Sequence, residues 1–264
     1  MLKGLIDRAF PEPLKEYLLK SLRYFRPSAS IQEFEFQGLD VREDIRRKYK
    51  FDGDLVDIFT NIPAPLIHKW HHYLPIYDRY FSLYRDTPVR FLEIGVSRGG
   101  SLEMWRQYLG DEAVIFGIDI DEECRRFNGV NGEVRIGSQD SEAFLSSVVS
   151  EMGGVDIVLD DGSHQMKHVR KSLEVLFPKL SVGGAYMIED LHCAYWPAYG
   201  GGLRSKGNFF SDIRDIVDGM HAWYHPRLSS RPNVTAGCSA IHVHDSVVVL
   251  EKTEMFPPTH SRLG

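Results

Sequence analysis

The sequence predicts an α/β protein: a doubly wound, mostly parallel sheet that ends in an antiparallel hairpin. Three observations predict it. From Pro88 onward, short apolar runs rich in β-branched residues alternate with segments of helical spacing. Most of these runs stop abruptly at glycine or carboxylates, as strands do where an open parallel sheet presents its ligand crevice. The last apolar stretch, Cys238 to Lys252, is broken instead by a polar turn near His244 to Ser246, which reads as a hairpin.

The elements follow in order. VRFLEI (Val89 to Ile94) is a buried-strand run ending at Gly95, and Leu102, Trp105 and Leu109 give the next segment one apolar helical face. VIFGI (Val114 to Ile118) and EVRI (Glu133 to Ile136) are the second and third strands. A helix over Ser141 to Met152 precedes VDIVL (Val155 to Leu159). Val169, Leu173 and Leu176 then mark a helix that leads into GAYMI (Gly184 to Ile188). Ser211 to Tyr224 has helical spacing. Before Pro88 the pattern is helical or irregular, broken at Pro11, Pro13, Pro27, Pro63 and Pro65. The expected division is therefore a helical extension over residues 1–87, acting as cofactor lid or oligomerisation arm, and a catalytic domain over 88–264. Met1 to Phe25 is mildly basic and amphipathic. It reads as a helix packed on the domain or on a partner subunit, with contact to an anionic membrane surface as the minority alternative.

The net charge of -6 argues against a nucleic-acid partner, because tracking phosphates needs a basic excess. Cys124, Cys193 and Cys238 are odd in number and lack metal-ligand spacing, which points to the reducing cytoplasm. No secretory h-region and no apolar stretch of membrane-spanning length is read. The apolar first eighty residues suggest a homo-oligomer that buries them.

The chemistry is carried by two acidic strand ends, VDIVLDDGSH and GGAYMIEDLH. Neighbouring strands ending this way would bring Asp160, Asp161, His164, Glu189 and Asp190 into one small volume. Carboxylates that close repel unless a positive charge sits among them, and a hard divalent cation meets that need. At the other end, FLEIGVSRGGS is a strand, a glycine turn and a helix start, with Gly95 and Gly99 letting a backbone approach a ligand. Asp119, closing the second strand, is placed to accept both hydroxyls of a ribose, or else simply caps a helix. GSQD, with Gln139 and Asp140, would lie beside an adenine ring.

FLEIGVSRGGS, GIDID and GSQD resemble the cofactor motifs of class I S-adenosylmethionine-dependent methyltransferases. LDDGSHQMKHV, FPKLSVGGAYMIEDLH, YWPAYGG and HKWHHYLPIYDRYF further resemble the metal-dependent macrolide sugar O-methyltransferases of the macrocin and mycinamicin type. The resemblance spans roughly His68 to Lys252. It implies a seven-stranded Rossmann-like sheet, S-adenosylmethionine as cofactor and a sugar-bearing acceptor. Glu93, Gly95, Ser97, Gly99 and Ser101 would line the methionine part of the cofactor, Asp119 would hold the ribose, and Gln139 with Asp140 would flank the adenine. Asp160 is placed with the cofactor contacts, and His71 or Tyr73 would cover it. Asp161, Glu189 and Asp190 would hold magnesium.

His164, three residues after Asp161, is the expected general base, since imidazoles titrate near neutral pH. His168 could support it; His192 could support the metal carboxylates; His242 and His244 share a strand face. Ala194 to Asn208, aromatic and then glycine-rich, could be a flexible lid over a sugar. The competing readings are a metal-dependent methyltransferase of a catechol or other vicinal diol, and a non-catalytic cofactor-binding subunit of a biosynthetic complex.

Overall fold

A computed structural model describes residues 34–226 and 229–264. Among the described residues three helices come first: α1 (Val41–Tyr49), α2 (Asp54–Asn61) and α3 (Tyr73–Phe81). The alternating part follows as β1 (Arg90–Ile94), α4 (Gly100–Leu109), β2 (Val114–Asp119), β3 (Glu133–Ile136), α5 (Glu142–Met152), β4 (Val155–Asp160), α6 (Met166–Leu176) and β5 (Leu180–Ile188). Then come α7 (Phe209–Met220), the short α8 (Pro232–Thr235), and the hairpin β6 (Cys238–Val243) with β7 (Val248–Lys252).

All seven strands form one sheet in the order β3-β2-β1-β4-β5-β7-β6. The first five are mutually parallel, while β7 runs antiparallel to both β5 and β6. The expected Rossmann-like architecture is thus the one observed. The winding reverses between β1 and β4, where a crevice opens at the carboxyl ends of the strands. Ile157, Val158 and Leu159 of β4 are fully buried, as parallel strands covered by helices on either side must be.

Two boundaries differ from the sequence expectation. β5 begins at Leu180 rather than Gly184, because Gly183 and Gly184 lie where the register with β4 shifts between Val155 and Ile157. A Cβ on Gly184 would meet the Asp156 carbonyl at 2.4 Å, so these glycines permit close pairing instead of ending the strand. The helix expected to reach Tyr224 ends at Met220, and Ala222–Tyr224 forms a separate short turn.

Residues Arg42–Gly264 form one compact unit, so residues 42–87 pack with the sheet. Aromatic packing explains this. Tyr77 and Phe81 of α3 contact Trp105 of α4 at 5.1 and 5.5 Å between ring centroids, and Phe81 and Trp105 both contact Phe91 of β1. These four rings are fully buried, and they fix α3 on the sheet as core rather than appendage. The amphipathic Met1 to Phe25 lies outside the described residues. Among the described residues, no helix is long and apolar enough to cross a membrane, and the three cysteines are free and buried.

Gly117 on β2 leaves room for Val96, just past β1: a Cβ there would lie 2.5 Å from Val96 Cγ2 and 3.2 Å from Leu102 Cδ2. Gly117→Ala is expected to cost about 1–3 kcal/mol through overpacking, read as a lowered urea midpoint. An unchanged midpoint would contradict this packing of the turn on β2.

Candidate active site

The crevice is a cleft of about 520 Å³ across the carboxyl ends of β1 to β5, within the size range of small-molecule sites. One wall is the turn after β1. Gly95 has φ +100, and a Cβ on it would strike the Asp161 carbonyl at 2.2 Å, so only glycine lets the ends of β1 and β4 meet here. The Ser97 amide donates to Asp119 Oδ2 at 2.9 Å and the Asp121 amide to Oδ1 at 3.0 Å, which fixes the Asp119 carboxylate at the cleft edge. Each of its oxygens keeps a lone pair for a ligand. The opposite wall is Leu66 to Trp70, the segment before α3.

At the β4 and β5 end lies the acidic cluster. The Lys69 side chain is 2% exposed, and its Nζ donates to Asp161 Oδ2 at 2.6 Å and to Glu189 Oε2 at 3.0 Å. The Tyr77 hydroxyl donates to Glu189 Oε1 at 2.6 Å, and the Tyr73 hydroxyl to Asp190 Oδ1 at 2.7 Å. Burial, reinforced by the adjacent carboxylates, raises both phenols, so they remain proton donors. Burial works against the Lys69 charge, but Asp161, Glu189 and Glu93 outweigh it and hold the ammonium protonated. Burial and the crowding of Asp161 push Glu189 well above the usual carboxylate range.

The oxygens left over face His164. Its Nε2 lies 3.7 Å from Asp190 Oδ2 and 4.0 Å from Asp161 Oδ1. His164 and Asp190 both have φ +53, a left-handed backbone that costs energy in a residue with a Cβ and recurs where side chains must be aimed. Among the described residues, Asp161, His164 and Asp190 each offer one ligand atom within 4.8 Å of the others. The Lys69 ammonium pairs with Asp161 and Glu189, while Asp190 is held by the Tyr73 hydroxyl. The donor set is oxygen-rich and free of thiolate, so these residues fit a hard divalent cation.

Comparison with known proteins places this geometry. A family model described as "Methyltransferase domain" matches residues 92–191. An 8-demethyl-8-(2-methoxy-alpha-L-rhamnosyl)-tetracenomycin-C 3'-O-methyltransferase of Streptomyces olivaceus is 36% identical over 240 residues, 84% of this chain and 59% of its own length. A mycinamicin VI 2''-O-methyltransferase of Micromonospora griseorubida is 35% identical over 218 residues, covering 75% of this chain and 52% of that protein. The chain carries a methyltransferase domain and is similar to these O-methyltransferases. The solved MycE methyltransferase from the mycinamycin pathway, in complex with Mg, SAH and mycinamycin VI, superposes with a TM-score of 0.69 at 32% identity over 76% of this chain and 54% of that one. The chain thus spans only about half the length of the relatives it matches.

Of the site residues expected from sequence, the fold brings Gly95, Ser97, Ser101, Asp119, Gln139, Asp161, His164, Glu189 and Asp190 to the cleft wall. Gly99 sits just outside it as the left-handed N-cap of α4. Others lie elsewhere. Asp160 is 1% exposed and turned into the core, where it accepts from Ser172 Oγ at 2.6 Å, Tyr186 at 3.1 Å and Gln139 Nε2 at 3.1 Å. Its neighbour Asp161 faces the cleft, as alternation along an extended chain requires. Glu93 is fully buried beneath the glycine turn, accepting from Ser101 Oγ at 2.7 Å and Trp105 Nε1 at 3.1 Å. Asp140 is off the cleft wall and accepts from Ser138 Oγ at 2.6 Å. His71 pairs with Asp44 at 2.9 Å, and Tyr73 grips Asp190, so neither lines the cleft.

The other histidines separate clearly. His168 joins Ser163 Oγ at 2.8 Å and lies 3.5 Å from Asp140, away from His164. His192 bonds Ser246 Oγ at 2.7 Å and lies 3.9 Å from Asp190, and burial lowers its pKa and keeps it neutral. His242 pairs with Glu251 and His244 with Tyr80 on the hairpin. The glycine-rich loop is folded on itself rather than hinged: Gly202 N donates to Ala194 O at 2.8 Å, and a Cβ on Gly201 would lie 2.0 Å from that carbonyl. Its Tyr199 ring nonetheless stands 6.5 Å from that of His164.

Sequence reasoning missed Lys69 and Tyr77. The available signal was the regular four-residue spacing of Lys69, Tyr73 and Tyr77.

Burial pushes Glu93 up to about 7 from an ordinary 4.5, with Lys69 and the Ser101 hydroxyl opposing. The native state therefore binds more protons than the unfolded chain between those values, so stability falls as pH rises through that window. The stability margin of wild type over Glu93→Gln should shrink by about 2–3 kcal/mol from pH 5 to pH 8 in denaturant titrations. A margin independent of pH would contradict the burial effect.

Proposed function

We propose that this chain is a magnesium-dependent O-methyltransferase that moves the methyl group of S-adenosylmethionine onto a sugar hydroxyl of a glycosylated natural product or surface polysaccharide. One observation carries the proposal: the free oxygens of Asp161 and Asp190 converge with His164 Nε2 at one end of a cleft whose other end is the glycine turn and Asp119. The names of the relatives support it, since they act on rhamnosyl and mycinamicin hydroxyls, and one relative was solved with Mg and SAH.

In this reading Asp119 takes the ribose hydroxyls, the backbone of Gly95 to Ser101 borders the methionine part, and Gln139 borders the adenine. Asp161 and Asp190 would hold the ion through their free oxygens, with Glu189 completing the acidic set. A bound magnesium ion lowers the proton affinity of an acceptor hydroxyl beside it. His164 accepts that proton on Nε2, and the carboxylates of Asp161 and Asp190 stabilise the imidazolium that results. The acceptor oxygen then forms its bond to the methyl carbon as the sulfonium carbon–sulfur bond breaks, and S-adenosylhomocysteine leaves. Tyr199 borders the space beside His164, where an acceptor ring can stack.

Methyl transfer from S-adenosylmethionine to a panel of sugar-bearing and catechol acceptors, with calorimetric cofactor binding as control, tests this. EDTA and Asp161→Ala are expected to abolish transfer, and His164→Ala to lower it by about 10²-fold or more while cofactor binding persists. EDTA-insensitive transfer would overturn the metal role, and transfer to catechols alone the sugar reading. Absence of cofactor binding would overturn the enzyme.

A further inference from the structure

Lys69 stands out among the buried charges because it lies at the centre of the acidic cluster, yet the proposed chemistry does not use it. Its ammonium is held by Asp161 Oδ2 at 2.6 Å and by Glu189 Oε2 and Oε1 at 3.0 and 3.3 Å, with the Tyr77 ring 5.7 Å away. One stretch of chain, residues 69–77, therefore takes one oxygen from Asp161, one from Asp190 through Tyr73, and both from Glu189. The oxygens it leaves free, Asp161 Oδ1 and Asp190 Oδ2, are the two that face His164. The division is by oxygen: one of each pair on Asp161 and Asp190 is held by residues 69–77, and the other faces His164.

We infer that Lys69 is a positioning residue, a built-in counter-ion that weakens the site's grip on its divalent cation and keeps coordination positions open for the acceptor. The inference rests on the cation reading of the cluster. A fixed ammonium beside the site repels a divalent ion and satisfies part of the carboxylate charge that would otherwise bind it. Without Lys69, Glu189 and the inner oxygen of Asp161 would turn their full charge on the ion, adding ligands and closing positions that substrate hydroxyls need. A merely architectural lysine has the opposite consequence: its loss would scatter the carboxylates and weaken ion binding.

The sign of the change therefore decides. Manganese, the probe ion, is titrated by calorimetry and by electron paramagnetic resonance into the wild-type chain, Lys69→Met and Lys69→Arg, each with S-adenosylhomocysteine present. Lys69→Met is expected to bind manganese on the order of tenfold more tightly, with Lys69→Arg close to wild type. Equal or weaker binding by Lys69→Met overturns the inference while leaving the metal site standing. No binding by the wild-type chain overturns the metal reading, and the inference with it. Should Lys69→Met not fold, Lys69→Gln removes the same charge with a side chain able to hydrogen-bond, and the same sign is read.

Discussion

Crowding of like charge at the ends of β4 and β5 is the constraint around which the site is organised. Asp161, Glu189 and Asp190 emerge from adjacent parallel strands, and a fourth carboxylate, Glu93, is buried beneath the neighbouring turn. Buried carboxylates without compensation are costly enough to unfold a domain or to protonate. Here the compensation comes from residues 69–77, one ammonium and two phenols. That stretch can deliver them only because Tyr77 and Phe81 are locked against Phe91 and Trp105. The aromatic core and the polar site are thus a single piece of engineering, and the apolar packing of α3 sets the geometry of the carboxylates.

The cofactor end obeys a different constraint, close approach of backbone. Gly95 lets the chain leave β1 directly against the Asp161 carbonyl, and the turn it starts presents the Ser97 amide to Asp119. The two ends of the cleft are coupled through this contact, since Asp161 is both the neighbour of Gly95 and a member of the acidic cluster. A shift of the turn is therefore a shift of the candidate ion site, which is how one crevice can bring a donor and an acceptor into line.

Much of this was legible in the sequence. Apolar runs located the strands because parallel strands covered by helices are largely buried on both faces, and the acidic strand ends pointed to the right crevice. What failed did so for identifiable reasons. Alternation sets Asp160 and Asp161 on opposite faces, but not which of them meets the cleft; Asp160 turns to Ser172 and Tyr186, and Asp161 to the cleft. Composition made Gly183, Gly184 and Gly201 look like breaks or hinges, whereas each allows a close backbone approach or a pairing irregularity. Lys69 was given no role, although it heads the spacing it shares with Tyr73 and Tyr77. Its meaning comes only from partners 92 and 120 residues away, which no local spacing encodes.

The division of the carboxylates into oxygens held from behind and oxygens free in front is tested most directly by the position of a bound ion. Crystals grown with manganese and S-adenosylhomocysteine, with data collected at the manganese edge, would show it. A single anomalous peak within about 2.3 Å of both Asp161 Oδ1 and Asp190 Oδ2, with the Lys69 ammonium still between Asp161 and Glu189, is the expected result. A peak that displaces Lys69 from the cluster, or no peak at the ends of β4 and β5, would contradict it.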